Sequence, residues 1–304
     1  MNINGKIESF CNYLKYERRY SHYTINSYNI DLIQFASFLL NYCTVDQIEN
    51  IGVNHVRQWI MFLNNENHLT NKSINRKIIA LKSFYKYLLN ELPSNEQFDN
   101  IMSHIKSLKV SQRLPVFITE ENIVKVLEKY DYGEGFEAIR NKFIIEILYD
   151  TGIRLSELIN LTDENIDINN QIIDVIGKRN KQRIIPIPNS LLKVYHEYYL
   201  ERAKITSIPC RLLITNKNKP CYPMLIQRIV KKVLKNNMIL SKYSPHVIRH
   251  TYATHLMNQG ADIQSIKDLL GHASIVSTQI YTHATTQKIL EVYKKSHPHS
   301  SKSK

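Results

Sequence analysis

Ser244 to His283 reads SPHVIRHTYATHLMNQGADIQSIKDLLGHASIVSTQIYTH, and the rest of the chain is organised around it. The reactive side chains come in the order imidazole, guanidinium, imidazole, phenol: His246, Arg249, His272 and Tyr281. A phenol can attack phosphorus, a guanidinium grips phosphate oxygens through parallel N–H bonds, and imidazoles move protons or donate to those oxygens. No carboxylate cluster accompanies them, as a magnesium-dependent nuclease would need. The pattern points to phosphodiester chemistry with tyrosine as the covalent nucleophile.

Local signals place these groups. Ser244 followed by Pro245 is a cap-and-proline start, predicting a helix to Gly260 with His246, Arg249 and His250 on one face. A second short helix is expected from Asp262 to Gly271, leaving His272 just past its end, and a third from Ile275 to Tyr281. TTQKILEVYKKSHP predicts a terminal amphipathic helix stopped by Pro298, with a disordered Ser/Lys tail beyond it.

Upstream, the apolar run from Phe136 to Tyr149 predicts a helix ended by Gly152 in a left-handed cap. TGIRLSELINL follows, with Arg154 at the start of a new helix, where backbone N–H groups favour anions. Arg154 can pair with Glu157 one turn on or hold a phosphate, and the two are compatible, since a carboxylate can fix a guanidinium in place. Three isoleucine-rich runs come next, ENIDI, QIIDVI and RIIPIP. The last two flank GKRNKQ and read as a hairpin, with Gly177 and Asn180 as turn formers and Lys178 projecting from the tip. A lysine there is either solvated or, beside a phosphate, a general acid. Further helices are expected over Phe117–Tyr130, capped by Thr119, over Ser190–Lys204, and over Leu225–Asn236, which is basic.

The first hundred residues carry four amphipathic patterns, over 3–17, 24–42, 53–65 and 71–89. Trp59 falls on an apolar stripe and reads as core. Lys72, Arg76 and Lys77 fall outside the stripe of the last helix and, with Ser73, are candidate phosphate contacts; a solvated charged face is the plainer alternative. Between Ser107 and Pro115 the sequence is basic and loses periodicity. The expected organisation is a helical domain over 1–108, a linker over 109–115 and a catalytic domain over 116–304.

The whole chain agrees. Its 304 residues suit two domains, and 40 Lys and Arg against 27 Asp and Glu give a net charge of +13, which favours a polyanionic partner. Four cysteines, widely spaced and without a CxxC pair, fit a reduced cytosolic setting. No apolar run approaches the roughly 20 residues of a membrane span.

The segments TGIRLSEL, IGKRNKQRIIPIP, HVIRH, LLGHASIVSTQIYTH and VYKKSHPH, in this order, resemble the tyrosine recombinases of the phage integrase family, and within it the bacterial Xer recombinases. The match runs over most of the C-terminal two-thirds, while the N-terminal helices agree in pattern rather than in diagnostic residues. The resemblance implies a mainly α fold: an N-terminal four-helix, SAM-like core-binding domain and an α+β catalytic domain with a small antiparallel sheet, together forming a C-shaped DNA clamp.

It implies a catalytic set of Arg154, Lys178, His246, Arg249, His272 and Tyr281, with neither metal nor cofactor. Tyr281 would form a 3′-phosphotyrosyl bond, Arg154 and Arg249 would clamp the non-bridging oxygens, and Lys178 would protonate the leaving 5′-oxygen. His246 would assist proton transfer at the tyrosine, and His272 would donate to a phosphate oxygen. His250, His255 and His283 have no catalytic task in this scheme. Arg179 stands where similar Xer sequences often carry glycine; with Lys181 it is a candidate DNA contact.

The implied partners are duplex DNA, a homo- or hetero-tetramer with a second recombinase on two DNA sites, and a DNA translocase. The terminal helix, through Ile289, Leu290, Val292 and Tyr293, would pack into a neighbouring subunit or onto its own core. A cytoplasmic, nucleoid-associated enzyme resolving chromosome dimers is the expected role. The rivals are an integrase or transposase of a phage or mobile element, a type IB topoisomerase, and a catalytically inactive DNA-binding protein.

Overall fold

The computed structural model describes residues 2–91, 100–110, 116–177, 182–206 and 211–271, in two compact units, Met1–Arg113 and Leu114–Lys304. In the first unit, apolar residues recurring every three or four positions bury one stripe of each helix. Helix α1 (Ile3–Tyr16) buries Ile3, Ile7, Phe10 and Leu14. Helix α2 (His22–Phe38) starts at Ser21, whose hydroxyl accepts the Thr24 N–H, and runs on through a wide π turn, Leu39–Cys43. Helices α3 (Val53–Asn65) and α4 (Asn71–Glu91) complete the set. Phe10, Phe35, Trp59, Ile78 and Phe84 share one core, and the Trp59 ring lies 4.9 Å from Phe35, fully buried.

Helix α4 corrects one expectation. Lys72 and Arg76 are exposed, but Lys77 is only 5% exposed. Its ammonium donates to Asp31 Oδ1 at 2.8 Å and to Gln34. Arg76 forks onto the same carboxylate and reaches Ser27, with its side chain still 47% exposed. Successive helix positions point about 100° apart, so of two consecutive cations one turns inward to the buried Asp31. Lys77 therefore presents no ammonium to a ligand. Ser73 is half-buried in the first turn, where its N–H reaches Thr70 Oγ1 at 3.4 Å.

The segment leaving this unit is held on α4. The Asn75 amide donates to Leu108 O at 2.9 Å and accepts from Leu108 N at 2.8 Å, and Asn71 donates to Lys109 O at 2.8 Å.

The second unit opens with α5 (Glu120–Val124), capped by Thr119, which widens into a π turn over Lys125–Lys129 instead of continuing as a regular helix. Helix α6 (Gly135–Thr151) is buried on nearly all sides from Phe143 to Thr151, as an element at the centre of a core must be. After the short α7 (Leu155–Leu158) come β1 (Ile166–Asp167), β2 (Ile172–Ile176) and β3 (Gln182–Pro186), an antiparallel sheet in the order β1-β2-β3 with Ile173 opposite Ile185. The hairpin expected from the last two isoleucine runs is present, and the first run supplies the third strand. Helices α8 (Asn189–Ala203), α9 (Pro223–Asn237), α10 (Pro245–Asn258) and α11 (Ile263–Leu270) follow. Phe143, Leu148, Ile185 and Tyr198 lie in the main core, while Tyr252, Leu256, Leu269 and Leu270 join α10 to α11 in a smaller one.

Ile118, just inside the second unit, is clamped to α10 on both sides of its peptide. Its N–H donates to Thr251 Oγ1 at 2.9 Å, and its carbonyl accepts from His255 Nε2 at 2.8 Å. Nδ1 of the same buried imidazole then accepts from the Tyr149 hydroxyl at 3.0 Å, so both ring nitrogens are used and His255 has the structural role expected of it.

Lys178, Arg179, Lys181, His272, Tyr281 and His283 lie outside the described residues, as do the helices expected from Ile275 onward with the apolar face Ile289, Leu290, Val292 and Tyr293. Among the described residues no helix is long and apolar enough to cross a membrane.

Candidate active site

Gly152 brings the site together. Helix α6 ends there at φ 57°, and a Cβ at this position would lie 2.5 Å from Cδ1 of the buried Tyr252 ring, so glycine is needed for its backbone and for its size. The reversed chain leads directly into Arg154, which occupies the N-cap position of α7. Glu157 reaches back across that turn. Its Oε2 accepts the Arg154 backbone N–H at 2.9 Å, and its Oε1 accepts from Arg154 Nη1 at 2.8 Å.

A second glycine ends α11. Gly271 has φ 62°, and the last carbonyls of this helix each receive a different arginine. Arg183, from β3, donates through Nε to Leu269 O at 3.1 Å. Arg249, from α10, donates to Leu270 O and also to Gly152 O. Arg154 donates through Nη2 to Gly271 O at 2.6 Å. Carbonyls at a helix C-terminus lack intrahelical donors and carry partial negative charge, so guanidinium groups satisfy both needs there. His272 is the next residue in the chain.

Three cations so close together need a counter-charge, and Glu157 supplies it. Besides Arg154 it takes a parallel pair of bonds from Arg183, Nη1 to Oε1 at 2.8 Å and Nη2 to Oε2 at 2.7 Å. Burial alone would raise the Glu157 carboxyl; the bonds and charge of Arg183, followed by those of Arg154, more than reverse this and hold it at about 2. Burial, then the charges of Arg154 and Arg183, pushes Arg249 down to about 10, which leaves it protonated at neutral pH.

His246 lies in the first turn of α10, one turn before Arg249, and is exposed. Desolvation lowers its pKa, helped by the neighbouring cations Lys242, Arg249 and Arg154. The imidazole is thus biased to its neutral, proton-accepting form. The cap on α10 departs from expectation: the Ser244 hydroxyl makes no cap hydrogen bond, and Pro245 at the first helical position starts the helix.

Of the residues expected in the site, Arg154 and Arg249 are brought onto adjoining carbonyls of one helix end, with His246 on the helix that carries Arg249. Arg154 keeps 30% of its side chain exposed, whereas Glu157 and Arg183 are 5% and 4% exposed. Arg183 is the residue that sequence reasoning missed. The available signal was an arginine in register with Ile185 on β3, where alternation demands a core-facing side chain and burial demands a partner. Among the described residues no group of three His, Cys, Asp or Glu side chains converges as a metal-holding set.

The chain matches two family models, "Phage integrase family" over residues 116–288 and "Phage integrase, N-terminal SAM-like domain" over residues 7–91. It is 31% identical over 319 aligned residues to tyrosine recombinase XerC of Chlorobaculum parvum, covering 96% of this chain and 94% of that protein. It is 35% identical over 302 residues to tyrosine recombinase XerC of Staphylococcus aureus, covering 99% of each. Among solved structures, the XerH site-specific recombinase bound to a palindromic difH substrate superposes with a TM-score of 0.71 at 24% identity, over 96% of this chain and 84% of that one.

Proposed function

The chain belongs to the phage integrase family, and we propose that it cuts and rejoins duplex DNA through a phosphotyrosyl bond at Tyr281 to resolve chromosome dimers. It is a site-specific tyrosine recombinase of the Xer type. The observation that carries the mechanism is the pair of guanidinium groups, Arg154 and Arg249, fixed on the Leu270 and Gly271 carbonyls immediately before His272.

Arg154 and Arg249 hold the non-bridging oxygens of the scissile phosphate and stabilise the charge that builds on them in the transition state. His272 donates a further hydrogen bond. The Tyr281 hydroxyl attacks phosphorus, its proton passes to neutral His246, and the P–O bond to the 5′-oxygen breaks as Lys178 protonates that oxygen. A phenol with an ordinary pKa near 10 is a weak nucleophile at pH 7, so this proton transfer and the surrounding positive charge are what activate it. The phosphotyrosyl ester retains the energy of the broken bond, and the 5′-hydroxyl of a second strand reverses the step by displacing the tyrosine.

Lys72, Ser73 and Arg76 on α4, Arg179 and Lys181 in the sequence between Ile176 and Gln182, and the exposed Arg228, Lys231, Lys232 and Lys235 on α9 supply contacts to the DNA backbone. The working unit is a tetramer on two DNA sites, formed by this chain alone or with a second recombinase and activated by a DNA translocase. It acts in the cytoplasm on the nucleoid.

The test is covalent trapping on nicked duplexes made from fragments of the host genome. Adducts enriched at one sequence near the replication terminus are expected. Enrichment at the boundary of a mobile element would replace the chromosomal role with an integrase role, adducts on all sequences alike would indicate a topoisomerase, and none would overturn the proposal.

A further inference from the structure

Arg183 has no place in the mechanism above, although it is bound more completely than either arginine assigned to the phosphate. All three of its nitrogens are engaged, Nε by Leu269 O and the two Nη atoms by Glu157, and its side chain is 4% exposed. It cannot also bind substrate. Its neighbours, however, are the groups that decide what Arg154 can do. Oε1 of Glu157 accepts from Arg154 Nη1 and Arg183 Nη1, both at 2.8 Å. Oε2 accepts from the Arg154 backbone at 2.9 Å and from Arg183 Nη2 at 2.7 Å.

One negative charge is therefore shared by two positive ones. The cation left over is Arg154, the member of the trio with an exposed edge. If Arg183 were neutral, Glu157 would satisfy itself on Arg154 alone and cancel the charge that the phosphate requires. Arg183 also lies flat against the end of α11. A Cβ on Gly271 would stand 3.0 Å from Arg183 Cδ and 3.1 Å from its Nη1, and the Gly271 carbonyl is the one that accepts from Arg154.

We infer that Arg183 is a positioning residue for strand cleavage, offsetting Glu157 so that Arg154 keeps its charge for the scissile phosphate and seating Gly271 immediately before His272. The inference rests on the assignment of Arg154 and Arg249 to that phosphate. A plain packing role would be indifferent to the charge on Glu157, whereas this role depends on it. Removing either member of the pair unbalances the site, and removing both charges restores the balance.

The experiment measures single-turnover cleavage at saturating protein on a nicked duplex of the sequence recovered by trapping, together with binding to the same duplex. The proteins are wild type, Arg154→Ala, Arg183→Gln, Arg183→Gln with Glu157→Gln, and Arg183→Lys. Arg183→Gln is expected to cleave roughly 10–100-fold more slowly while binding DNA within about threefold of wild type. Adding Glu157→Gln is expected to recover about fivefold or more of that loss, a sign of direct coupling between the two sites. Arg183→Lys, which keeps the charge but not the fork, should fall between wild type and Arg183→Gln.

An Arg183→Gln rate within about twofold of wild type overturns the inference, and so does a slow rate that Glu157→Gln leaves unimproved. If thermal melting shows that Arg183→Gln does not fold, Arg183→Lys decides instead: slowed cleavage with unchanged binding supports the inference, and an unchanged rate overturns it. Arg154→Ala separates this from the reading beneath it, because an active Arg154→Ala removes the phosphate assignment itself and the inference with it.

Discussion

Replacing Glu157 with glutamine removes the carboxylate that bonds both Arg154 and Arg183, and the structure gives the size of the loss. The gap between an ordinary glutamate near 4.5 and the value of about 2 held here corresponds to about 3 kcal/mol, at about 1.36 kcal/mol per pKa unit. Breaking a buried ion pair by deleting one partner costs roughly 3–5 kcal/mol, which agrees. Glu157 is 5% exposed, so solvent screening takes little from this figure.

For a unit spanning Leu114–Lys304 the expected fall in melting temperature at pH 7 is about 6–12 °C. The sign of its pH dependence follows from linkage. A depressed carboxyl stabilises the fold fully above its unfolded value near 4.5, and that contribution fades as pH falls toward about 2. The difference between wild type and Glu157→Gln should therefore narrow to roughly half or less of its pH 7 value at about pH 3. Calorimetry of both proteins across this range is the assay. A difference under about 1 kcal/mol at pH 7, or one that does not narrow on acidification, would rule out Glu157 as the counter-charge of the three arginines.

Gly152→Ala must pay for a left-handed backbone and for a methyl group 2.5 Å from the Tyr252 ring, so a loss of about 2–4 kcal/mol is expected by chemical denaturation, with cleavage reduced because Arg249 donates to the Gly152 carbonyl. The pH profile of kcat/KM should show an acid limb below about 6.5, since His246 accepts a proton only when neutral and its pKa is lowered. Lys242→Ala removes one of the cations responsible and should move that limb to higher pH; a shift the other way would exclude His246 as the acceptor. In the first unit, Lys77→Ala should cost about 1–3 kcal/mol because it strips a buried partner from Asp31, while Lys72→Ala should change stability by no more than about 0.5 kcal/mol; equal effects in urea melts would contradict the burial of Lys77.

What could be read from the sequence depended on local spacing. The four N-terminal helices follow from apolar residues at three- and four-residue intervals, and the bounds of α5, α6 and α11 from Thr119, Gly152, Asp262 and Gly271. The Arg154–Glu157 pair was visible for the same reason, since its members are one turn apart. Contacts between distant segments were not visible. Lys77 looked like part of a basic face because its carboxylate partner, Asp31, lies 46 positions earlier, on a helix whose own stripe is apolar. Arg183 was hidden within an isoleucine-rich strand, and Glu157, 26 positions away, already had a partner. The π turns at Leu39–Cys43 and Lys125–Lys129 left no sign in the apolar pattern, which tolerates an extra residue per turn over so short a span.

Whether Tyr281 carries the DNA is tested most directly by finding the atom that does. Trapped adducts from the nicked-duplex reaction are digested with protease and nuclease, and the nucleotide-bearing peptide is sequenced by mass spectrometry for wild type and Tyr281→Phe. A single 3′-phosphonucleotide on the Tyr281 hydroxyl is expected in the wild type, and DNA binding without any adduct in Tyr281→Phe. A nucleotide on another residue, or an adduct that persists in Tyr281→Phe, would contradict the assignment of Tyr281 as the nucleophile.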